Sequence, residues 1–230
     1  MTEPKSPLVQ INTQISAFCE QSGRDRDSVQ LLAVSKTRKA DEVARLADQG
    51  QRHFGENYLQ EALDKIGTLQ GKDLVWHFIG PIQSNNTRDI AGHFDWVHSV
   101  DRLKVARRLS DQRPEGLAPL NVCIQVNVDD EDSKSGVSLA AVPELAAAVA
   151  ALPNLRLRGL MAIPRADSDD SNRAAFRQLA MTLSQLRNTM PALDTLSMGM
   201  SADYGVAIEE GATIIRVGTA LFGPRPAKGA

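Results

Sequence analysis

What most limits the folds open to this chain is a rhythm: short strand-type runs keep alternating with stretches of helical spacing. Strand-type runs fall at Gln30–Val34, Arg52–Gly55, Val75–Ile79, Asp95–Ser99, Asn121–Val128, Leu157–Ile163, Thr195–Met198 and Thr213–Val217. Helical spacing occupies 40–49, 57–68, 84–92, 101–112, 139–151, 171–190 and 203–210 between and after them. The clearest helix carries Phe176, Leu179, Leu183, Leu186 and Met190 as one apolar stripe. Strands joined through helices pair in parallel, because a parallel neighbour needs a crossover. Eight such units in 230 residues suit a single α/β domain, a (β/α)8 barrel of TIM type, for which about 250 residues is typical. A doubly wound open sheet is the alternative that a count of units leaves open. Leu8, Ile11, Ile15 and Phe18, stopped by Gly23, predict an extra helix before the first strand. Residues 1–7 are polar with two prolines and read as a loose end, leaving 8–230 as one barrel domain without a linker.

Charge and cysteine usage narrow the class. A formal net charge of −2 gives no electrostatic ground for expecting nucleic acid or an anionic membrane as partner. The N-terminal residues have no apolar core of a secretory signal, and the longest apolar run, 145–152, is far too short to span a bilayer. Cys19 and Cys123 stand apart, as free thiols of a reducing cytoplasm do. His53, His77, His93 and His98 lack metal-ligand spacing, so no metal site is expected.

The first strand, Leu31-Leu32-Ala33-Val34-Ser35, runs straight into Lys36. Lysine is rarely placed at a buried strand end unless it is paired or used, and a desolvated amine beside Arg38 and Lys39 is suited to attack a carbonyl and form a Schiff base. A surface lysine just past the strand is the plainer alternative. In a barrel the site lies at the C-terminal strand ends, with phosphate held by the loops after strands seven and eight. Here those loops are Ser197-Met198-Gly199-Met200-Ser201 and Arg216-Val217-Gly218-Thr219. Glycine lets backbone amides approach an anion, and the Ser201 and Thr219 hydroxyls add donors or cap the following helices. A lysine facing a phosphate cup fits a phosphorylated aldehyde, above all pyridoxal 5′-phosphate (PLP). Arg216 either faces the ring nitrogen and keeps it unprotonated or pairs with a rim carboxylate. Asn57 either bonds the ring oxygen or caps a helix, and His77 reads as a satisfied core histidine. Met161 reads as packing, and Lys134 as a solvated lysine of the acidic loop 129–136.

These residues sit in motifs that resemble the pyridoxal phosphate homeostasis protein family. They are Ala33-Val34-Ser35-Lys36-Thr37, His53-Phe54-Gly55-Glu56-Asn57-Tyr58, Trp76-His77-Phe78-Ile79-Gly80, Gln83-Ser84-Asn85, Ser133-Lys134-Ser135-Gly136, Gly159-Leu160-Met161 and the two loops above, in the family's order from about Leu31 to Gly223. The resemblance implies a fold-type III PLP barrel like the N-terminal domain of alanine racemase, with Lys36 carrying PLP as a Schiff base. It further implies that Ser201, Gly218 and Thr219 hold phosphate, that Arg216 faces the pyridine nitrogen and that Asn57 lines the site. Asn86 stands where the family usually has lysine. The expected role is intracellular PLP (vitamin B6) homeostasis as carrier or regulator, not catalysis, with PLP-dependent apo-enzymes as the partners. A PLP-dependent amino-acid racemase is the alternative, but the β-rich second domain that supplies a racemase's opposing base is not expected here. A Schiff-base aldolase and a purely structural interaction protein are the remaining classes.

Overall fold

Each strand-type run becomes a strand of one closed parallel barrel, in the order β1 to β8 with β8 pairing back to β1. The computed structural model describes residues 6–129, 135–164 and 169–224, with the side chains of 169–171 left aside. The strands are β1 (Gln30–Val34), β2 (His53–Glu56), β3 (Val75–Phe78), β4 (Trp96–Val100), β5 (Leu120–Gln125), β6 (Leu155–Met161), β7 (Thr195–Met200) and β8 (Ile214–Val217). Closure decides between the two architectures that the alternation allowed. The pairing of Leu31 with Ile215 and of Ala33 with Val217 leaves no open edge between first and last strand.

The helices are α1 (Pro7–Gln21), α2 (Ala40–Asp48), α3 (Leu59–Thr68), α4 (Thr87–His93), α5 (Leu103–Asp111), α6 (Val142–Ala150), α7 (Asp169–Arg187), α8 (Tyr204–Glu209) and α9 (Thr219–Phe222). The first begins at Pro7, with Ser6 as its cap, so the helix reaches one residue further than the apolar spacing indicates. Its Leu8, Ile11, Ile15 and Cys19 are buried. It also braces α8, where Tyr204 donates its hydroxyl to Gln14 at 2.5 Å and packs edge-on against Phe18. On α7 the predicted stripe is buried at Phe176, Leu179, Leu183 and Leu186, and Met190 lies past the helix end. In the acidic loop, residues 130–134, and with them Ser133 and Lys134, lie outside the described residues.

Side chains along a strand alternate between two faces. Leu31 and Ala33 of β1 pack outward into the large core under the helices, whereas Leu32 and Val34 belong to a small inner cluster with Ile79, Ile214 and Trp96. The same alternation sends His77 of β3 and Ile79, just past its end, inward while Trp76 and Phe78 face the outer core. Continued past β1, it aims Lys36 into the mouth of the barrel. Near that mouth β7 slips register against β8 between Ser197 and Met200. Gly199 sits at this irregularity with φ +90°, and a Cβ there would lie 2.5 Å from the Ala207 methyl.

Candidate functional site

At the C-terminal mouth lies a pocket of about 160 Å³ lined by Val34, Lys36, Arg38, Asn57, Ile79, Ile163, Met200, Ser201, Arg216, Gly218 and Thr219. All six residues singled out from the sequence, Lys36, Asn57, Ser201, Arg216, Gly218 and Thr219, therefore line one cavity. They come from the ends of β1, β2, β7 and β8.

The turn carrying Lys36 is pinned from below. Ser35 donates its amide to the Gly55 carbonyl at 3.0 Å and its hydroxyl to Glu56 Oε1 at 2.5 Å. Lys65 of α3, only 4% exposed, points its ammonium at three acceptors: the Ser35 carbonyl at 2.6 Å, Glu56 Oε1 at 2.7 Å, and Glu61. Three acceptors match the three protons of an ammonium group. Glu61 also accepts the Thr37 amide at 2.6 Å, and Thr37 holds φ +63°, a left-handed conformation costly for a β-branched residue. Burial raises the Glu56 pKa, with Lys65 opposing the shift. Glu56 and Lys65 are functional supports that the sequence analysis missed, since nothing in the spacing of a helix marks one of its lysines as buried. Arg38, also missed, is buried in the pocket wall, donates to the Gly223 carbonyl and stacks over Phe222 at 5.6 Å, tying the Lys36 turn to α9.

Several sequence expectations are settled in detail. Asn57 does not cap α3, whose cap position is Tyr58; its Oδ1 is buried at the pocket without a hydrogen-bond partner. Ser201 is not a helix cap either, because Asp203 precedes α8 and accepts the Met200 amide at 2.6 Å, holding the turn that presents Ser201. Gly218 occupies the cap position of α9, with Thr219 as the first helical residue. A Cβ on Gly218 would come within 3.3 Å of the Val34 carbonyl, so the backbone lies close against β1 there. Asn86 sits at the cap position of α4 without a side-chain cap bond.

Arg216 is buried. Its Nη1 donates to Ser197 Oγ and its Nη2 to the Ala162 carbonyl, each at 2.8 Å. Burial lowers its pKa to about 10, with Asp203 and Cys123 opposing, so the guanidinium stays charged at neutral pH. Burial also pushes the Cys123 thiol up to about 12. His77 is the satisfied core histidine that the sequence suggests, bonded to His53 on one side and His98 on the other. Burial, reinforced by the neighbouring His98 and His53, drives the pKa of His77 well down; burial and then Arg216 lower His98 to about 3.

A histidine that is neutral in the fold and titrates near 6.5 when unfolded lowers stability as the pH drops below that value. From about pH 6.5 toward 3, His98 is expected to contribute a loss of about 1.4 kcal/mol per pH unit once the unfolded form is protonated, and His77, its pKa lowered by the same burial, acts in the same direction. Urea unfolding at pH 7, 6 and 5 checks this. His98→Gln should flatten the slope by one proton, and an unchanged slope would contradict the assignment.

Among the described residues no group of three His, Cys, Asp or Glu is placed to hold a metal ion, and no helix is long and apolar enough to cross a membrane.

With the geometry in view, the chain matches the family described as alanine racemase, N-terminal domain, over residues 10–226. It is 57% identical over 219 residues to a pyridoxal phosphate homeostasis protein of Pseudomonas aeruginosa, with 95% of this chain and 94% of that protein covered. It is 53% identical over 222 residues to the protein of the same name from Escherichia coli, with 95% of each covered. Among solved structures it is similar to PipY of Synechococcus elongatus without PLP, at 39% identity and TM-score 0.82, covering 93% of this chain and all of that one. Against PipY with PLP bound the values are 37% identity, TM-score 0.79, and coverage of 91% and 100%. Alanine racemase from Corynebacterium glutamicum, at 17% identity and TM-score 0.67, covers 96% of this chain and 62% of its own length and shares the barrel fold.

Proposed function

This chain belongs to the pyridoxal phosphate homeostasis protein family, and from that premise we propose that it binds PLP at the barrel mouth and serves in PLP homeostasis as a carrier or regulator. The observation that carries the reading is the convergence of one amine, two guanidinium groups and two hydroxyls on a single pocket. The residues present fit the cofactor. Asn57 Oδ1 is an acceptor without a partner, and Gly218, Thr219 and Ser201 form a close backbone and hydroxyl cradle for a phosphate. Arg38 in the same wall adds positive charge.

When bound, PLP supplies an aldehyde and an electron-withdrawing ring. Lys36 would hold the cofactor through that aldehyde, as the amine in the pocket lining. Ser201, Gly218 and Thr219 orient the phosphate, and Asn57 meets a polar group of the ring. Arg216, held charged, would face the ring nitrogen and disfavour its protonation, which would keep the ring a weak electron sink. Among the described lining residues Lys36 is the one group able to take up a proton. That composition supports holding over catalysis, since racemisation needs two opposed bases. The same reading takes 8–230 as one cofactor-holding domain, working in the cytoplasm and passing PLP to apo-enzymes that use it.

Transfer is the discriminating experiment. The PLP-loaded protein is mixed with a PLP-dependent apo-enzyme while a phosphatase destroys free PLP. Activation of the apo-enzyme is the expected result. No activation, together with solvent deuterium appearing at the α-carbon of an amino acid at useful turnover, would replace the carrier by a racemase.

A further inference from the structure

Three of the four histidines in the chain stand in one line through the barrel, and none of them lines the pocket. The line starts at Arg216, whose Nη1 lies 2.8 Å from Ser197 Oγ. Ser197 Oγ lies 2.7 Å from His98 Nδ1, His98 Nε2 lies 2.9 Å from His77 Nδ1, and His77 Nε2 lies 3.0 Å from His53 Nδ1. Ser197, His98, His77 and Arg216 are all buried, and His53 is half-buried beside Asp95. The His77 ring is also stacked on Trp96, with 5.4 Å between centroids and 12° between planes.

Donor chemistry gives this line a direction. A guanidinium donates and never accepts, so Ser197 Oγ accepts a hydrogen bond from Arg216 and keeps its own proton free to donate. A hydroxyl donating to His98 Nδ1 requires His98 to carry its proton on Nε2, pointing at His77 Nδ1. His77 in turn carries its proton on Nε2, pointing at His53 Nδ1. With the opposite tautomers Ser197 would face two donors, and its own proton would find no acceptor in the line. An arginine at one end therefore orders every proton down to the half-buried end.

We propose that Ser197 and His98 are positioning residues for Arg216, a histidine-backed brace that fixes the guanidinium edge presented to a heteroaromatic ring nitrogen in the pocket. The proposal rests on the reading that Arg216 faces that nitrogen. Buried polar groups satisfied in series hold one geometry, and loss of one member leaves its neighbour unpaired.

The first test needs no variant. Nitrogen-15 histidine spectra of the wild-type protein at pH 7 should show His77 and His98 neutral with the proton on Nε2; a proton on His98 Nδ1 overturns the brace. The second test loads the protein with PLP. Ser197→Ala and His98→Phe should each release PLP about tenfold faster, the order expected when a bond to a charged group is lost. Both should add an acid-side step to the pH profile of the bound cofactor's visible spectrum, as the ring nitrogen becomes free to protonate. His98→Gln, whose amide offers one acceptor and one donor, should behave as wild type. If the glutamine variant is as impaired as the phenylalanine one, packing explains the loss and the proposal fails. It fails also if Ser197→Ala and His98→Phe keep the wild-type profile while Arg216→Met changes it. A wild-type profile in Arg216→Met would instead overturn the reading on which the proposal rests.

Discussion

Lys36→Ala is expected to abolish the proposed covalent attachment of PLP and to leave a protein that binds the cofactor weakly through its phosphate end alone. Lys36 is the one primary amine among the described lining residues, and the proposed phosphate cradle comes from the turns after β7 and β8, which the substitution does not touch. Ser35, Glu56 and Lys65 pin the turn through the Ser35 backbone and hydroxyl, so the fold should survive the change. The expected loss of apparent affinity is about a hundredfold, ~2.8 kcal/mol at 1.4 kcal/mol per decade. Equilibrium dialysis and the absorbance of the retained cofactor measure it. Stoichiometric, borohydride-reducible PLP on the variant would mean that another lysine carries the bond.

Lys65→Met is expected to cost about 3–5 kcal/mol of stability, because it removes one partner of a buried ion pair and leaves the other uncompensated. Glu56 is fully buried, one of its oxygens already lacks a partner, and the substitution would take away the cation that opposes the rise of its pKa. The Ser35 carbonyl and Glu61 would lose the same ammonium. For a chain of this size the midpoint of thermal unfolding should fall on the order of 10 °C. The damage reaches the pocket, since the turn holding Lys36 and the left-handed Thr37 rests on this cluster. A second change, Glu56→Leu, should recover part of the loss by removing the stranded carboxyl. A midpoint unchanged in Lys65→Met would show that the cluster contributes no net stability.

Much of the architecture is legible because local patterns fix it. Alternation along β1 sends Leu32, Val34 and Lys36 to one side, and the two glycine-bearing turns after β7 and β8 stand out in the chain. Closure of the barrel is different, since the pairing of β8 with β1 joins segments about as far apart as the chain allows, and no local pattern records it. The same distance hides the line behind Arg216. His98 and Ser197 are 99 positions apart, and a histidine on a strand looks the same whether it meets water, packing or another histidine. Lys65 was hidden for the opposite reason, because on α3 it sits among charged neighbours and reads as part of a solvated face. Helix caps were blurred by one or two residues: Asp203, two positions after Ser201, occupies the cap of α8 and frees Ser201 to face the pocket.

Whether this barrel holds PLP on Lys36 is decided by borohydride reduction of the loaded wild-type protein followed by peptide mass mapping. One pyridoxyl adduct per chain, on the peptide containing Lys36, is the predicted result. A colourless protein with no reducible adduct after incubation with PLP would contradict it.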